Sequence, residues 1–182
     1  MILLRFIEKP SPGESPTNWI NAGTYVLEPS VLKQIPINQR VSVEKETFPT
    51  LAAESQLFAF QSETYWIDTG TPATYLQAQI DLLEGGVRGN SHNGLDPTSL
   101  INGEVSESVV GADVVIEKGA RIERSVILKG AKIEQGAIVS NSIIGFDSCI
   151  GQNAAIRSLS VIGHRVQVPN GIELNGMTMA ES

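Results

Sequence analysis

The side chains of the first half that are best suited to chemistry lie in three short segments. Glu8 and Lys9 stand together before a proline, Asn21 lies two residues before Gly23, and Asp68 begins an Asp-Thr-Gly-Thr-Pro run. Ammonium, carboxylate and amide groups are the types that contact phosphates, hydroxyl groups and hard cations. Each feature also has an ordinary structural explanation: a surface ion pair, a strand bulge, and a carboxylate that hydrogen-bonds the turn before a helix. Residue type alone therefore assigns no role.

Two side chains of the second half could act as a nucleophile or a base. Cys149 is the single cysteine, which excludes an internal disulfide and fits a reducing compartment. We interpret it as a small core or surface residue. His164 could serve as a base, but in the repeat described next a lone histidine more often points outward.

The second half repeats every seventeen residues, with three aliphatic positions in each unit. A small residue stands two places before nearly all of them, so both face the same side of a short strand. This pattern predicts a parallel β-helix of hexapeptide repeats with an aliphatic core. Gly119, Gly136, Asn153 and Gly171 recur at one corner, where a positive φ is expected. The aliphatic positions are Val105, Val110, Ile116, Ile122, Ile127, Ile133, Val139, Ile144, Ile150, Ile156, Ile162 and Val168. The small positions are Ser108, Val114, Ala120, Ser125, Ala131, Ala137, Ser142, Ser148, Ala154, Ser160 and Val166.

The elements that must position the first three segments differ from this repeat. The clearest is a helix from Pro72 to Leu83, because Thr71 suits its N-cap and a proline suits its first turn. Predicted strands are Ile2–Glu8, Trp19–Leu27, Leu57–Phe60 and Tyr65–Ile67, and other helices are Ser30–Ile35 and Val43–Glu54. We therefore predict part of an α/β domain over 1–86, a linker over 87–104, and the β-helix over 105–182.

Composition excludes several classes of protein. The net charge of −7 leaves no basic patch to replace counterions on a phosphate backbone, so nucleic acid is not an expected partner. No apolar run approaches membrane-spanning length, and the apolar start is too short for a signal peptide. We expect a cytoplasmic protein that does not contact membranes.

Three motifs in order resemble the sugar-nucleotide pyrophosphorylases, and are most similar to mannose-1-phosphate guanylyltransferases. They are FIEKP at 6–10, NWINAGTY at 18–25 and YWIDTGTP at 65–72, followed by the hexapeptide coil. The resemblance implies a mixed-sheet nucleotidyltransferase remnant followed by a left-handed β-helix. The left hand comes from the resemblance alone, since right-handed crossovers are the general rule.

The resemblance also implies a chemistry, in which a sugar 1-phosphate attacks a nucleoside triphosphate and expels pyrophosphate. Lys9 matches the lysine that meets the sugar phosphate. Glu8 and Asn21 match positions that bind sugar hydroxyls, and Gly23 lets the backbone approach the sugar ring. Asp68 matches one of two Mg²⁺ ligands. The resemblance leaves open which sugar and which nucleotide are used.

The family's glycine-rich nucleotide loop, and its other magnesium aspartate, have no counterpart in these 182 residues. No catalytic set is therefore complete in this chain. We predict that this polypeptide is a truncated or split product that transfers no nucleotidyl group by itself. A separate N-terminal half would be needed for the reaction.

Two other functions stay open at this stage. The first is a hexapeptide-repeat acyltransferase, which would need a histidine such as His164 near a corner of the coil. The second is a non-catalytic module, in which the β-helix forms a homo-oligomer or regulates a partner.

Overall fold

The computed structural model describes residues 1–85 and 93–180, which form two compact units. The first unit is Met1–Trp66 and the second begins at Ile67. The helices are α1 (Pro29–Leu32), a π-helix (Val43–Thr47), α2 (Phe48–Ala53) and α3 (Pro72–Leu83). The predicted helix over 72–83 is therefore confirmed to the residue. The predicted helix over 43–54 is present, but its first turn is a π-helix.

The four strands predicted in the first 67 residues do not form ladders. Outside the helices, residues 1–66 contain one antiparallel bridge, between Ile2 and Phe58, and otherwise run as turns and coil. Strand formation needs a partner with free backbone groups, and β-propensity alone supplies none. Val26, inside the second predicted strand, is fully exposed. The strand predictions were wrong for this reason.

The second unit is built on three parallel sheets, which form the sides of a β-helix. Sheet 1 contains β1 (Leu100–Ile101), β4 (Val115–Ile116), β7 (Lys132–Ile133), β10 (Cys149–Ile150) and β13 (Gln167–Val168). Sheet 2 contains β2 (Glu104–Ser106), β5 (Arg121–Glu123), β8 (Ile138–Ser140), β11 (Ala155–Arg157) and β14 (Glu173–Asn175). Sheet 3 contains β3 (Val109–Val110), β6 (Val126–Ile127), β9 (Ile143–Ile144), β12 (Val161–Ile162) and β15 (Thr178–Met179). The predicted order, a short helix-containing part followed by a parallel β-helix, is confirmed.

The core of the β-helix consists of the predicted aliphatic and small residues. In sheet 1, Ile116, Ile133 and Ile150 lie in register and are completely buried. All eleven predicted small residues are buried as well. One large and one small side chain per strand therefore fill the prism.

The corners carry the left-handed backbone that the sequence predicts. Gly119, Gly136, Asn153 and Gly171 have φ between 56° and 77°. Buried serines line another corner, where the N–H of Ser125 donates to Ser108 Oγ at 3.0 Å and the N–H of Ser142 donates to Ser125 Oγ at 3.1 Å. These hydroxyls satisfy backbone groups that the turn leaves without a partner.

Helix α3 packs on the outer face of sheet 3. Leu76 and Ile80 are buried in one cluster with Val126 and Ile143, whose side chains point away from the prism core. The Arg124 guanidinium also donates to Gln77 Oε1 at 3.2 Å. The apolar face of α3 thus covers an apolar stripe on the coil.

The predicted domain limits remain predictions. Strand β1 and the start of β2 fall inside the predicted linker, and residues 86–92 lie outside the described residues. A bilayer requires a longer apolar helix than any that residues 1–85 and 93–180 form.

Candidate functional site

The candidate site of the first unit is organised by one buried aromatic ring. Phe48, at the start of α2, is 1% exposed. The ring of Phe6 meets it edge-on at a centroid distance of 5.3 Å, and the ring of Tyr25 does so at 4.8 Å. Because Phe6 precedes Glu8 by two residues and Tyr25 ends the second motif, the two motifs flank the same small core.

Asn21 and Gly23 form a tight turn. The N–H of Gly23 donates to Asn21 Oδ1 at 3.0 Å. Gly23 has a φ of 71°, and a Cβ built on it would meet no atom within 4 Å. Conformation, rather than lack of space, therefore calls for glycine at this position.

The other end of the Asn21 amide is also occupied. Its Nδ2 donates to the Tyr25 hydroxyl, which donates in turn to Glu44 Oε1 at 3.4 Å. Ser42 Oγ donates to Glu44 Oε2 at 3.1 Å. Sequence reasoning did not find Tyr25, Ser42 and Glu44 as neighbours of the site, although Ser42 two residues before an acidic residue suggests a helix N-terminus.

Glu8 and Lys9 keep their charged groups uncommitted. Neither side chain makes a hydrogen bond or an ion pair with the residues that the structure describes. Lys9 is exposed and has a φ of 51°, an unfavourable conformation for a residue with a Cβ. Its ammonium group is therefore available to an anion.

The third motif is linked to the second by its tryptophan. The indole N–H of Trp66 donates to the carbonyl oxygen of Ala22 at 3.3 Å. Asp68 belongs to the second unit, so its position relative to Glu8, Lys9 and Asn21 stays a prediction.

Asp68 is exposed and forms the turn that precedes α3. Its Oδ1 accepts the N–H of Gly70 at 2.9 Å, and Thr71 caps the helix reciprocally with Thr74. Within residues 1–85 and 93–180 Asp68 Oδ2 has no hydrogen-bond partner, so it is available as a metal ligand. Among the described residues, however, no three His, Cys, Asp or Glu side chains converge as a metal site would require. One carboxylate fits one ligand position of Mg²⁺ and no more.

The β-helix carries a polar cluster on the outer face of sheet 1. Lys132 Nζ lies 3.0 Å from Glu117 Oε1 and 3.1 Å from Glu134 Oε1. The hydrogen bond from Lys132 holds the pKa of Glu117 below its usual value. Burial, aided by the neighbouring charge of Glu134, raises the pKa of the Cys149 thiol. Cys149 is thus kept as a neutral thiol.

His164 points outward, as predicted for a lone histidine of this coil. Its Nδ1 accepts the N–H of Phe146 at 3.0 Å, and the two rings lie 4.8 Å apart. One ring nitrogen is therefore committed to holding the corner.

Each half of the chain matches a known protein family. Residues 2–85 match the family described as nucleotidyl transferase, and residues 88–181 match the family described as GMPPB C-terminal domain. The chain belongs to the family described as GMPPB C-terminal domain, whose model matches more than half of its residues. Its first half is similar to the nucleotidyl transferase family.

Individual relatives agree with that class. The chain is 36% identical over 187 residues to "Probable mannose-1-phosphate guanylyltransferase 3" of Oryza sativa subsp. japonica, and 37% identical over 187 residues to the mannose-1-phosphate guanyltransferase of Candida albicans. It is 35% identical over 189 residues to mannose-1-phosphate guanylyltransferase 1 of Arabidopsis thaliana. Each match covers 94% of this chain and 51% of the relative. The chain thus spans about half the length of the curated relatives it matches.

Proposed function

We propose that this chain binds a sugar 1-phosphate, as the sugar-phosphate-binding part of a mannose-1-phosphate guanylyltransferase-type enzyme. The observation that carries the proposal is that Phe6, two residues before Glu8, and Tyr25, whose hydroxyl holds the Asn21 amide, pack on the same Phe48 ring. Lys9 follows Glu8, and its ammonium group has no partner among the described residues. The names of the relatives support mannose 1-phosphate as the sugar phosphate to test.

Each site residue has a role that its surroundings support. Lys9 pairs with the phosphate dianion, because no carboxylate among the described residues competes for it. Glu8 binds sugar hydroxyls through a carboxylate that has no partner among the described residues. Asn21 binds them through the hydrogen-bonding capacity that its bonds to Tyr25 and Gly23 leave on the amide. Gly23 holds the turn open, and the empty space over its Cα admits a sugar ring.

Asp68 supplies one ligand to a Mg²⁺ ion. The ion would neutralise charge on phosphate oxygens when bound. The contribution of this chain is a carboxylate whose orientation is fixed by the Gly70 N–H. Removing that hydrogen-bonded turn would leave the free oxygen without a defined direction.

Binding of mannose 1-phosphate, measured by isothermal titration calorimetry, tests this proposal. Lys9→Ala should weaken binding by about tenfold or more, since a charge-assisted contact to phosphate is lost. Lys45→Ala is the matched control, because it removes an exposed lysine of the same unit. Free mannose, which has no phosphate, should not distinguish Lys9→Ala from the wild-type protein. An absence of measurable binding to the wild-type chain would contradict the proposal.

Turnover is a separate question. We expect no pyrophosphate release from guanosine triphosphate and mannose 1-phosphate with Mg²⁺ by these 182 residues alone, and release when an N-terminal half is supplied. In the restored enzyme, Lys9→Ala and Asp68→Ala should each remove most of the rate. Activity of the chain alone would refute the first expectation, and unchanged rates in both variants would refute the site assignment.

We also propose that the protein is cytoplasmic, which its single cysteine supports. Light scattering of the purified chain distinguishes a homo-oligomer from a monomer.

A further inference from the structure

Within the first unit, a series of hydrogen bonds connects Asn21 of the candidate sugar site to Ser42. We name the set Asn21, Tyr25, Glu44 and Ser42 the amide relay. Asn21 Nδ2 donates to Tyr25 Oη, Tyr25 Oη donates to Glu44 Oε1 at 3.4 Å, and Ser42 Oγ donates to Glu44 Oε2 at 3.1 Å. The relay joins the second motif to the π-helix that precedes α2.

The donors and acceptors of the amide relay are arranged in one order only. The carboxylate of Glu44 can only accept hydrogen bonds, so the single proton of the Tyr25 hydroxyl points toward it. The lone pairs of that hydroxyl then face Asn21, where they require a donor. On the other side, the N–H of Gly23 requires an acceptor. The amide of Asn21 meets both demands in one orientation only, with Nδ2 toward Tyr25 and Oδ1 toward Gly23.

The relay is held by packing as well as by hydrogen bonds. The Tyr25 ring lies against Phe48, which is buried, and Glu44 is half-buried in the π-helix that Ser42 caps. With respect to the described part of the chain, one N–H of Nδ2 and one lone pair of Oδ1 stay free on the exposed amide. These two groups can donate to and accept from sugar hydroxyls, each of which can do either.

We propose that Tyr25 and Glu44 are positioning residues that fix the amide of Asn21 for recognition of sugar hydroxyls. This inference rests on the proposed binding of a sugar 1-phosphate. It adds two residues that do not touch the ligand, and it states how they act: Glu44 sets the direction of the Tyr25 hydroxyl, and the hydroxyl sets the orientation of the amide.

The test uses the whole chain, with mannose 1-phosphate as the probe. Tyr25→Phe removes the hydroxyl and keeps the ring on Phe48, whereas Glu44→Ala removes the acceptor. Both should weaken binding by about fivefold to tenfold, the loss expected for one well-placed hydrogen bond. Glu44→Gln should recover part of the affinity, because its amide oxygen can still accept from Tyr25.

A second readout does not depend on the ligand. The side-chain amide resonances of Asn21, observed by ¹H–¹⁵N NMR, should shift in Tyr25→Phe and Glu44→Ala and return toward the wild-type position in Glu44→Gln. Tyr75→Phe and Glu54→Ala are the matched controls, since these residues lie outside the relay. They should alter neither the resonances nor the affinity.

The outcomes separate this inference from the proposed function. If the wild-type chain binds no mannose 1-phosphate, the proposed function fails and this inference fails with it. If the wild-type chain binds and Asn21→Ala weakens binding, but Tyr25→Phe and Glu44→Ala bind normally with unmoved Asn21 resonances, this inference alone is overturned. Shifted resonances with unchanged affinity would also overturn it, because the amide orientation would then not matter for the ligand.

Discussion

Buried serine residues at one corner of the β-helix have a structural task that alanine could not perform. Ser125 Oγ accepts the N–H of Ser142 and donates to the carbonyl oxygen of Glu123 at 2.7 Å. Ser125 is completely buried, so no water can replace these bonds. The small positions of the repeat are therefore not equivalent, because alanine suffices only where the backbone finds its own partner.

Ser125→Ala should lower the free energy of unfolding of the β-helix by about 1–3 kcal/mol, since it leaves the buried N–H of Ser142 unsatisfied. Urea denaturation followed by far-UV circular dichroism measures the change. Ser140→Ala is the control, because that side chain is only half-buried and makes no hydrogen bond within the described chain. Equal effects of the two substitutions would refute the explanation.

Cys149 should react slowly with alkylating reagents at neutral pH. Burial and Glu134 raise its pKa, and the thiolate is the reactive form. The rate with iodoacetamide should therefore keep rising at a pH where an unperturbed thiol has reached its plateau. Glu134→Gln should move this profile toward lower pH. A profile that does not move would contradict the role of Glu134.

At the scale of single residues, the sequence predicted the inward positions better than the site contacts. Ile133 and Ala131 repeat with the coil, and periodicity alone identifies such core residues. Tyr25 and Glu44 meet across nineteen residues of irregular chain, and no spacing rule relates them. Asp68 was predicted both as a metal ligand and as part of a turn; the turn is present, and the metal role stays a prediction.

Helix α3 owes its place to an apolar stripe outside the prism. Val109, Val126, Ile143 and Val161 lie on sheet 3 in successive coils, and they pack against Leu76 and Ile80. Outward positions of a β-helix are usually polar, so a stripe of this kind needs a cover. In the sequence, the residues of the stripe stand one position before the inward aliphatic residues.

Ile80→Ala should loosen α3. Ile80 is 1% exposed, and its truncation should cost about 2–5 kcal/mol of packing. Hydrogen–deuterium exchange of residues 72–83 should accelerate, while the strands of sheets 1 and 2 stay protected. Leu82→Ala is the control, because Leu82 is 47% exposed. Unchanged exchange in Ile80→Ala would show that other contacts hold the helix.

The two units differ in how strands find their pairing partners. In the β-helix each strand pairs with the strand one coil away, so the repeat that predicts one strand also predicts its partner. In residues 1–66 no repeat supplies partners, and only Ile2 and Phe58 pair. Helix α3 could be located because its cap, its first-turn proline and its apolar spacing are all local.

At the scale of the whole molecule, the two units differ in how much of their apolar surface is buried. In the first unit Leu4, Val26, Ile37 and Phe60 are each at least 85% exposed. In the second unit the prism core is almost completely buried. Local stability follows buried apolar contact, so the first unit should open more readily.

The chain should therefore unfold in two transitions. Both tryptophans, Trp19 and Trp66, lie in the first unit, so tryptophan fluorescence reports on that unit alone. Far-UV circular dichroism is dominated by the strands of the second unit. The fluorescence transition should come at a lower urea concentration than the dichroism transition. Coincident curves would indicate a single cooperative unit and contradict the prediction.

One extra residue in the last coil has a practical consequence for anyone comparing or engineering this coil. Ile122, Val139 and Ile156 pair at intervals of seventeen, but Ile156 pairs with Leu174 at eighteen, and Ser158 and Leu159 both have positive φ. A constant spacing of seventeen residues would place Leu159 at the position that Ser160 holds, and it would displace every later residue by one position. Consensus repeats grafted beyond Arg157 must therefore be shifted by one residue, or they will turn their oily side chains to water.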